Sequence, residues 1–546
     1  MKIISIITEF VYYCFKGLRP YERKFVEINS LYWKQQYNSI NNKKDKYIYV
    51  LKEAYPLILI GNTHISSMIA AERGLKVLLV ISSHFNVSMI KVLKSFNNVD
   101  FIYEDRPGLL LAKILSCYEA IKALLSFKTP EDVLTYEIDE IRFGDLIYDS
   151  YLSYGYATMR KVWSFDLFKI LRNFFYAKRF ATFVLKNYNI QVLFASHMCN
   201  VNGGTVARYF VKNHIEIWER WVTLKKHKSI DTLYDSAAKP DIRYVNYLKQ
   251  NKSQFIPLAE KHLNDRLACR NTDYGAQLPY QRDKRVFISK TEFCDEFKLD
   301  SRKKVVFVMM HAFNDYPNAF GFSIYRDYYQ WFKAVLNIAQ KVNSVNWIFK
   351  EHPGAQYYPT KDINLKTIFS MVNTDNIRFI EADANFNTSS LRYIADVICT
   401  CIGTAGLEYS TYGIPCVLGG KSWYAGFGFT IEPINEKEFI TILSNIDNIQ
   451  RLNEEQTDMA KIIAFLSFKI LDVTNFPDPF GTVVSLDADA QRTMSAEKLF
   501  KAIIDKRNNS SEAAKERYFI SIKEFINKPD CLQFIDLDKF WFFRNL

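Results

Sequence analysis

The stretch from Lys304 to Leu418 constrains the fold more than any other part of the chain. Short apolar runs recur along it at Val305–Met310, Val345–Lys350, Ile377–Ile380, Asp396–Cys401 and Ile414–Leu418. Helical stretches are expected between them at Ser323–Lys341 and Thr404–Tyr412. Strand-length apolar runs alternating with helices predict a parallel sheet covered on both faces. In such sheets ligands bind beyond the carboxyl ends of the strands.

Three of these strand ends carry chemistry. His311-Ala312-Phe313-Asn314-Asp315 follows the first run, Lys350-Glu351-His352-Pro353-Gly354 closes the second, and Gly403-Thr404-Ala405-Gly406-Leu407-Glu408 follows the fourth. Pro353 locks its own φ and biases His352 to extended geometry. A histidine held that way is expected to donate to a phosphate oxygen, with Lys350 adding charge. The residues Gly403 to Gly406 open a helix, whose free N–H groups and dipole suit a phosphate. Thr404 is expected as N-cap and hydroxyl donor, beside Ala405. Glu408, one turn on, faces the same side and suits a ribose diol. His311 and Asp315 suit proton transfer or nucleophilic attack at a sugar carbon. Gly419-Gly420 with Tyr424–Thr430 is expected to close over a base or sugar.

A similar alternation precedes this region. Pro56–Gly61 is an apolar run, Thr63–Arg73 is helical, Gly74 stops the helix and Leu75–Ile81 is a strand. The pattern recurs as a strand Val192–Ala195, a loop Ser196–Gly204 and a helix Thr205–Asn213, with long aromatic helices such as Phe165–Lys186 between. His197, Asn202 and Arg208, around that loop, are acceptor-site candidates, while Asn202-Gly203-Gly204 also reads as a structural turn. Residues 236–300 are polar, with Pro257 and Pro279, and read as a connecting segment. The expected fold class is therefore α/β, GT-B-like, with two Rossmann-like domains facing across a cleft. The expected boundaries are 1–235 for the N-terminal domain, 236–300 for the connection, 301–480 for the C-terminal domain and 481–546 for a helical tail.

Composition narrows the function. With 546 residues, 49% hydrophobic and 24% charged, the chain is neither disordered nor collagen-like nor a small disulfide scaffold. Nine cysteines without a Cys-x-x-Cys pair read as buried hydrophobes in a reducing compartment, and structural zinc is not expected. The net charge of +12 calls for an anionic partner. Lys225-Lys226-His227-Lys228 and Arg302-Lys303-Lys304 are short, accompany no nucleic-acid module and read as solvated charges. No nucleic-acid partner is expected. Met1–Phe15 carries Lys2 and Glu9 and reads as neither signal peptide nor spanning helix. The aromatic stretch Phe534–Arg544 reads either as docked on its own domain or as lying at a bilayer interface.

KEHP at 350–353 and GTAGLEYSTYGIPCVLGG at 403–420 resemble the bacterial capsule polysaccharide synthesis family, which includes the β-Kdo transferases. HAFND at 311–315, followed by Tyr328-Tyr329-Gln330-Trp331, adds to the likeness, which covers roughly residues 303–432. Similar His-Pro and Ser/Thr motifs occur in bacterial GT-B sialyltransferases. The resemblance implies a GT-B fold and sugar transfer from a nucleotide donor, often a CMP-activated acid sugar. It implies that His352 binds the donor phosphate, Thr404 assists, Glu408 holds the nucleotide and Asp315 is the catalytic carboxylate. Thr404-Ala405 stands where a Ser/Thr-Ser pair is more usual.

The expected function is a glycosyltransferase acting on a growing surface polysaccharide or lipid-linked glycan. The alternatives are a nucleotide-sugar epimerase or hydrolase of the same fold and a non-catalytic glycan-binding subunit. No cofactor is expected beyond the nucleotide sugar as co-substrate. No metal is expected, since Asp487-Ala488-Asp489 and Asp536-Leu537-Asp538 lie late in the chain and Glu381-Ala382-Asp383 reads as a polar loop. The expected location is the cytoplasm, with peripheral contact at the inner face of an anionic membrane.

Overall fold

In the computed structural model the strands run, in chain order, as β1 (Lys46–Val50), β2 (Lys76–Ile81), β3 (Val99–Tyr103), β4 (Glu137–Ile138), β5 (Ile141–Arg142), β6 (Asn189–Ala195), β7 (Glu216–Arg220), β8 (Leu224–His227), β9 (Lys304–Met309), β10 (Val345–Lys350), β11 (Ile377–Ile380), β12 (Val397–Thr400), β13 (Cys416–Leu418) and β14 (Thr430–Ile431). The structure describes residues 12–13, 15–37, 45–53, 55–82, 86–234, 239–270, 274–319, 321–473, 476, 478–480 and 495–544. Two six-stranded sheets form, ordered β3-β2-β1-β6-β7-β8 and β11-β10-β9-β12-β13-β14. Their pairings are parallel except β7 with β8. Each sheet grows outward from a central strand and then resumes on that strand's other side. The order reverses between β1 and β6 in one sheet and between β9 and β12 in the other. Both units are thus α/β with Rossmann-like sheets.

The units are discontinuous in sequence. The first comprises 1–125, 171–233 and 472–545, and the second 126–170, 234–471 and 546. This differs from the linear boundaries: 126–170 groups with the second sheet, 236–300 is part of that unit, and the C-terminal segment belongs to the first.

Packing explains the first unit. Val77, Leu79, Val192, Phe194 and Trp218 of the sheet share one core with Phe500 and Ile503 of the helix Ala496–Asn509 and with Tyr518 and Ile522 of the helix Glu512–Ile526. The C-terminal segment also covers the sheet edge: Lys226 N–H donates to Leu532 O (2.8 Å) and Phe534 N–H to Leu224 O (2.8 Å). Phe534, Phe540 and Phe543 are buried, so the aromatic stretch is docked on its own unit. The basic run 225–228 departs from its expected solvated state. Lys225, Lys226 and His227 are buried in β8, where Lys225 and His227 pair with Glu219 and Lys226 donates to the carbonyls of Phe525 and Lys528. Burial pushes the Lys226 ammonium down to about 8.

Two local expectations also change. The helix expected from Thr63 begins already at the apolar run, as an 18-residue helix, Pro56–Arg73, with Pro56 in its first turn and Gly74 at φ 66° ending it. The helix after β6 starts at Val201, because the Asn200 side chain accepts from Asn202 N–H and Gly203 N–H.

In the second unit, Val306, Val308, Trp347, Phe349, Val397 and Cys399 pack against Trp331, Phe332 and Val335 of the helix Tyr328–Ala339. The helix Gly144–Leu152 is buried along its whole length and holds the loop after β9. The helix Lys252–Leu267, expected to be part of a linker, is fixed to the sheet layer through Arg266. No helix among the described residues is long and apolar enough to cross a membrane.

Candidate functional site

Three adjacent strands of the second sheet, β10, β9 and β12, end in the three motifs, astride the point where strand order reverses. At that point His311 ties two strand ends together. Its Nε2 accepts from Ile402 N–H (3.3 Å) and lies 3.2 Å from Thr400 Oγ1, which accepts from Gly403 N–H (3.2 Å). The ring stacks on Tyr328 at 4.1 Å. Burial, with His352 nearby, pushes the His311 pKa down to about 3. An imidazole that stays neutral and already accepts through Nε2 carries its proton on Nδ1. His311 is therefore a tie between strands, not the proton acceptor expected beside Asp315.

His352 is held as the His-Pro pair predicts. Its backbone is extended, Pro353 opens the 3-10 turn Pro353–Tyr357, and its Nδ1 accepts from Gly354 N–H (3.1 Å). Burial, then Lys350, lowers its pKa to about 4. The proton of the neutral ring accordingly sits on Nε2, which has no hydrogen-bond partner among the described residues.

Lys350 does something other than expected. Its ammonium is buried and donates to the carbonyls of Glu351 (3.1 Å) and Glu381 (2.9 Å), joining the loops after β10 and β11. Burial and Lys284 bring its pKa down to about 8. It positions the His352 loop rather than presenting charge to a phosphate.

The third motif is also partly reassigned. The helix is only Ala405–Ser410, and Thr404 has helical backbone angles and makes no capping bond; its exposed side chain remains available. Gly406 N–H is taken by Gly403 O (3.1 Å). A Cβ on Gly406 would meet Tyr424 Oη at 2.3 Å and Cys416 Sγ at 2.8 Å, so the position needs glycine for packing. Tyr424 is fully buried, with its hydroxyl on Gly403 O, and supports this turn from inside instead of closing over a ligand. Glu408 is buried as well. Its Oε1 accepts from Arg266 Nε (3.1 Å) and Nη2 (2.8 Å), and its Oε2 from Tyr280 Oη (2.6 Å). Both oxygens are held from within the protein, so the carboxylate expected for a ribose is an anchor of the fold.

Asp315 is the opposite case. Its side chain is exposed, and it has no hydrogen bond or ion pair among the described residues. Desolvation by the surrounding protein nevertheless raises its pKa. An open carboxylate with a raised pKa is suited to proton transfer. The loop around it is rigidly pinned. Asn318 donates to Asp149 through N–H (2.8 Å) and Nδ2 (2.7 Å), and Asp327 accepts from Tyr148 Oη (2.6 Å) and Thr158 Oγ1 (2.7 Å). Tyr316, next to Asp315, sits at φ 45°, in the left-handed region that non-glycine residues seldom adopt.

The first sheet has its own cluster at its reversal point. Ser196 Oγ, just after β6, donates to Glu53, just after β1, and accepts from Asn62 Nδ2 (3.1 Å). His197 Nδ1 lies 3.5 Å from Glu53 Oε2, with its ring 4.2 Å from that of Trp221. Arg220, at the end of β7, is buried, and its Nη1 has no hydrogen-bond partner among the described residues. The β6–β7 register ends on the pair Ala195 and Glu219, the residues just before Ser196 and Arg220. Among the described contacts, His197 is the acceptor candidate that touches this cluster. Asn202 is exposed on the first helical turn and Arg208 is buried further along. Gly203 is a packing glycine, since a Cβ there would stand 2.0 Å from His197 O. Glu53 and Arg220 were not singled out from sequence, and only their places after apolar runs could have drawn attention to them.

Among the described residues no group of three or more His, Cys, Asp or Glu side chains is placed to hold a metal ion. Asp536 caps its own turn and Asp538 pairs with Arg544 at 3.0 Å; Asp487 and Asp489 lie outside the described residues.

No family model matches the chain, and no curated protein does. Solved structures do. A β-Kdo 2,4 transferase, KpsC of Thermosulfurimonas dismutans, matches at 13% identity and TM-score 0.32, over 52% of this chain and 81% of that one. A UDP-GlcNAc 2-epimerase from Neisseria meningitidis matches at 11% identity and TM-score 0.24, over 78% and 97%. A glycosyltransferase from Rickettsia africae matches at 10% identity and TM-score 0.23, over 89% and 100%.

Proposed function

We propose that the protein is a glycosyltransferase of GT-B type that transfers a sugar from a nucleotide-activated donor to a surface polysaccharide or lipid-linked glycan. One observation carries the reading. Three motifs distant in sequence arrive on adjacent strand ends, where His352 offers an N–H and Asp315 an unpaired carboxylate. In this reading His352 Nε2–H and the Thr404 hydroxyl hold the donor phosphate, and a CMP-linked acid sugar is the donor that the resemblance implies. Asp315 acts as base or nucleophile. In the first unit, His197 held by Glu53, together with Arg220, receives the acceptor. A thermal-shift screen of CMP-, UDP- and GDP-sugars tests the reading, because a ligand that binds only the native state raises its stability. Stabilisation by none of them opposes it.

The donor placement predicts a specific loss. In calorimetric titration, His352→Ala is expected to weaken nucleotide binding by about tenfold or more, about 1.4 kcal/mol. Since His352 is neutral down to about pH 4, the loss should be the same factor at pH 6 and pH 8. Unchanged affinity in the folded variant would place the nucleotide elsewhere.

We further propose that transfer needs no metal, with phosphate charge met by N–H and hydroxyl donors. Turnover is expected to survive EDTA. Loss of activity in EDTA that Mg²⁺ or Mn²⁺ restores would contradict this.

A further inference from the structure

The helix Pro107–Ser126 is built inside out for a surface helix. Its inward side chains are mostly small, with Ser116, Ala120 and Ala123 buried. Its bulky apolar residues face solvent instead. Leu111, Ile114, Tyr118, Ile121 and Leu125 recur at spacings of three and four, and Ile114 and Tyr118 are 68% and 70% exposed. Such spacing lines them along one face. From Leu111 to Leu125 the stripe is about 21 Å long. A helix whose only task was to cover the sheet would turn these side chains inward.

Charge beside the stripe selects the occupant. Lys113 and Lys122 lie on the helix itself, and Arg172, Arg179 and Lys186 on the part of the helix Phe165–Asn187 within the same unit. The two helices touch where Lys113 lies over the Tyr176 ring (5.3 Å) and Arg179 pairs with Glu119 (2.8 Å). Glu119 is the one acidic residue along these two segments, 107–126 and 171–187. A second copy of the chain would bring the same excess of positive charge to the contact. Anionic headgroups match it, and lysines beside a buried apolar stripe can extend their ammonium groups to the headgroup level.

We propose that this helix face docks on an anionic lipid bilayer, lying in its interface without crossing it. The inference stands apart from the sugar-transfer reading. It also moves the expected membrane contact away from the docked C-terminal stretch.

The test is sedimentation of the full chain with vesicles of phosphatidylcholine alone or mixed with phosphatidylglycerol. The protein is expected to bind the mixed vesicles, and less so as salt rises. Ile114→Glu with Tyr118→Glu should lower the partition coefficient by at least about tenfold without changing the melting temperature, since both sites are exposed. Trp541→Glu, on the exposed side of the C-terminal stretch, should leave binding unchanged. The proposal is overturned by absence of binding to mixed vesicles, by equal binding to neutral ones, or by a double variant that binds like the parent. It is equally overturned if Trp541→Glu abolishes binding. A dimer that the double variant dissociates in sedimentation velocity, with no vesicle binding, would assign the face to a second copy.

Discussion

Asp315→Asn is expected to lower turnover by roughly a hundredfold or more while donor binding stays nearly intact. The substitution keeps the shape of an exposed side chain that has no hydrogen-bond partner among the described residues, so the fold has little to lose. What disappears is the capacity to take a proton or attack a carbon. The pH profile gives a second readout. Desolvation raises the Asp315 pKa, so the active, ionised form is lost at a higher pH than for an ordinary carboxylate near about 3.9. Activity should therefore fall on the acid side, with a limb above that value. The distance from the carboxylate to the donor sets whether transfer inverts or retains the anomeric configuration. A variant that keeps more than about a tenth of parental turnover would make Asp315 a mere loop residue.

Glu408→Ala is expected to cost stability on the order of 3–5 kcal/mol, the typical effect of stranding one partner of a buried ion pair. Arg266 would be left buried over the Phe468 ring (4.1 Å) with its carboxylate gone, and Tyr280 would lose its acceptor. Urea unfolding measures the loss. Replacing both partners, as Arg266→Met with Glu408→Leu, should recover much of it, because two apolar groups strand no charge. The folded variant Glu408→Gln should bind nucleotide like the parent. A tenfold weaker affinity in that variant at unchanged stability would return Glu408 to the ligand.

Residues 304–418 were legible in sequence because each strand there is a short, mainly apolar run. Val345–Lys350 and Ile377–Ile380 are found at the expected bounds, and the others within two residues. The strand β1 was missed because Lys-Tyr-Ile-Tyr-Val is short and partly polar and follows a polar stretch. The apolar run that follows it, Pro56–Gly61, has a proline at its head, which suits a first helical turn. At the site, the residues whose role depends on neighbours in sequence were readable. His352 takes its geometry from Pro353 and Gly354. Glu408 was misjudged because Arg266 lies 142 residues away. Lys350 was misjudged for the same reason, since the carbonyl of Glu381 belongs to another strand end. Sequence spacing finds groups that could face a ligand; it does not show which of them the fold has already claimed.

The discontinuous units set an order for synthesis. Apart from residue 546, the second unit has left the ribosome once residue 471 emerges, whereas the core of the first still lacks Phe500, Ile503, Tyr518 and Ile522. The unit that contains residues 1–125 is therefore the later of the two to close. Until then the face of its sheet that these side chains cover stays bare, and so does the β8 edge. That interval is when a nascent chain of this design is most exposed to aggregation, and when a chaperone would have the most to hold.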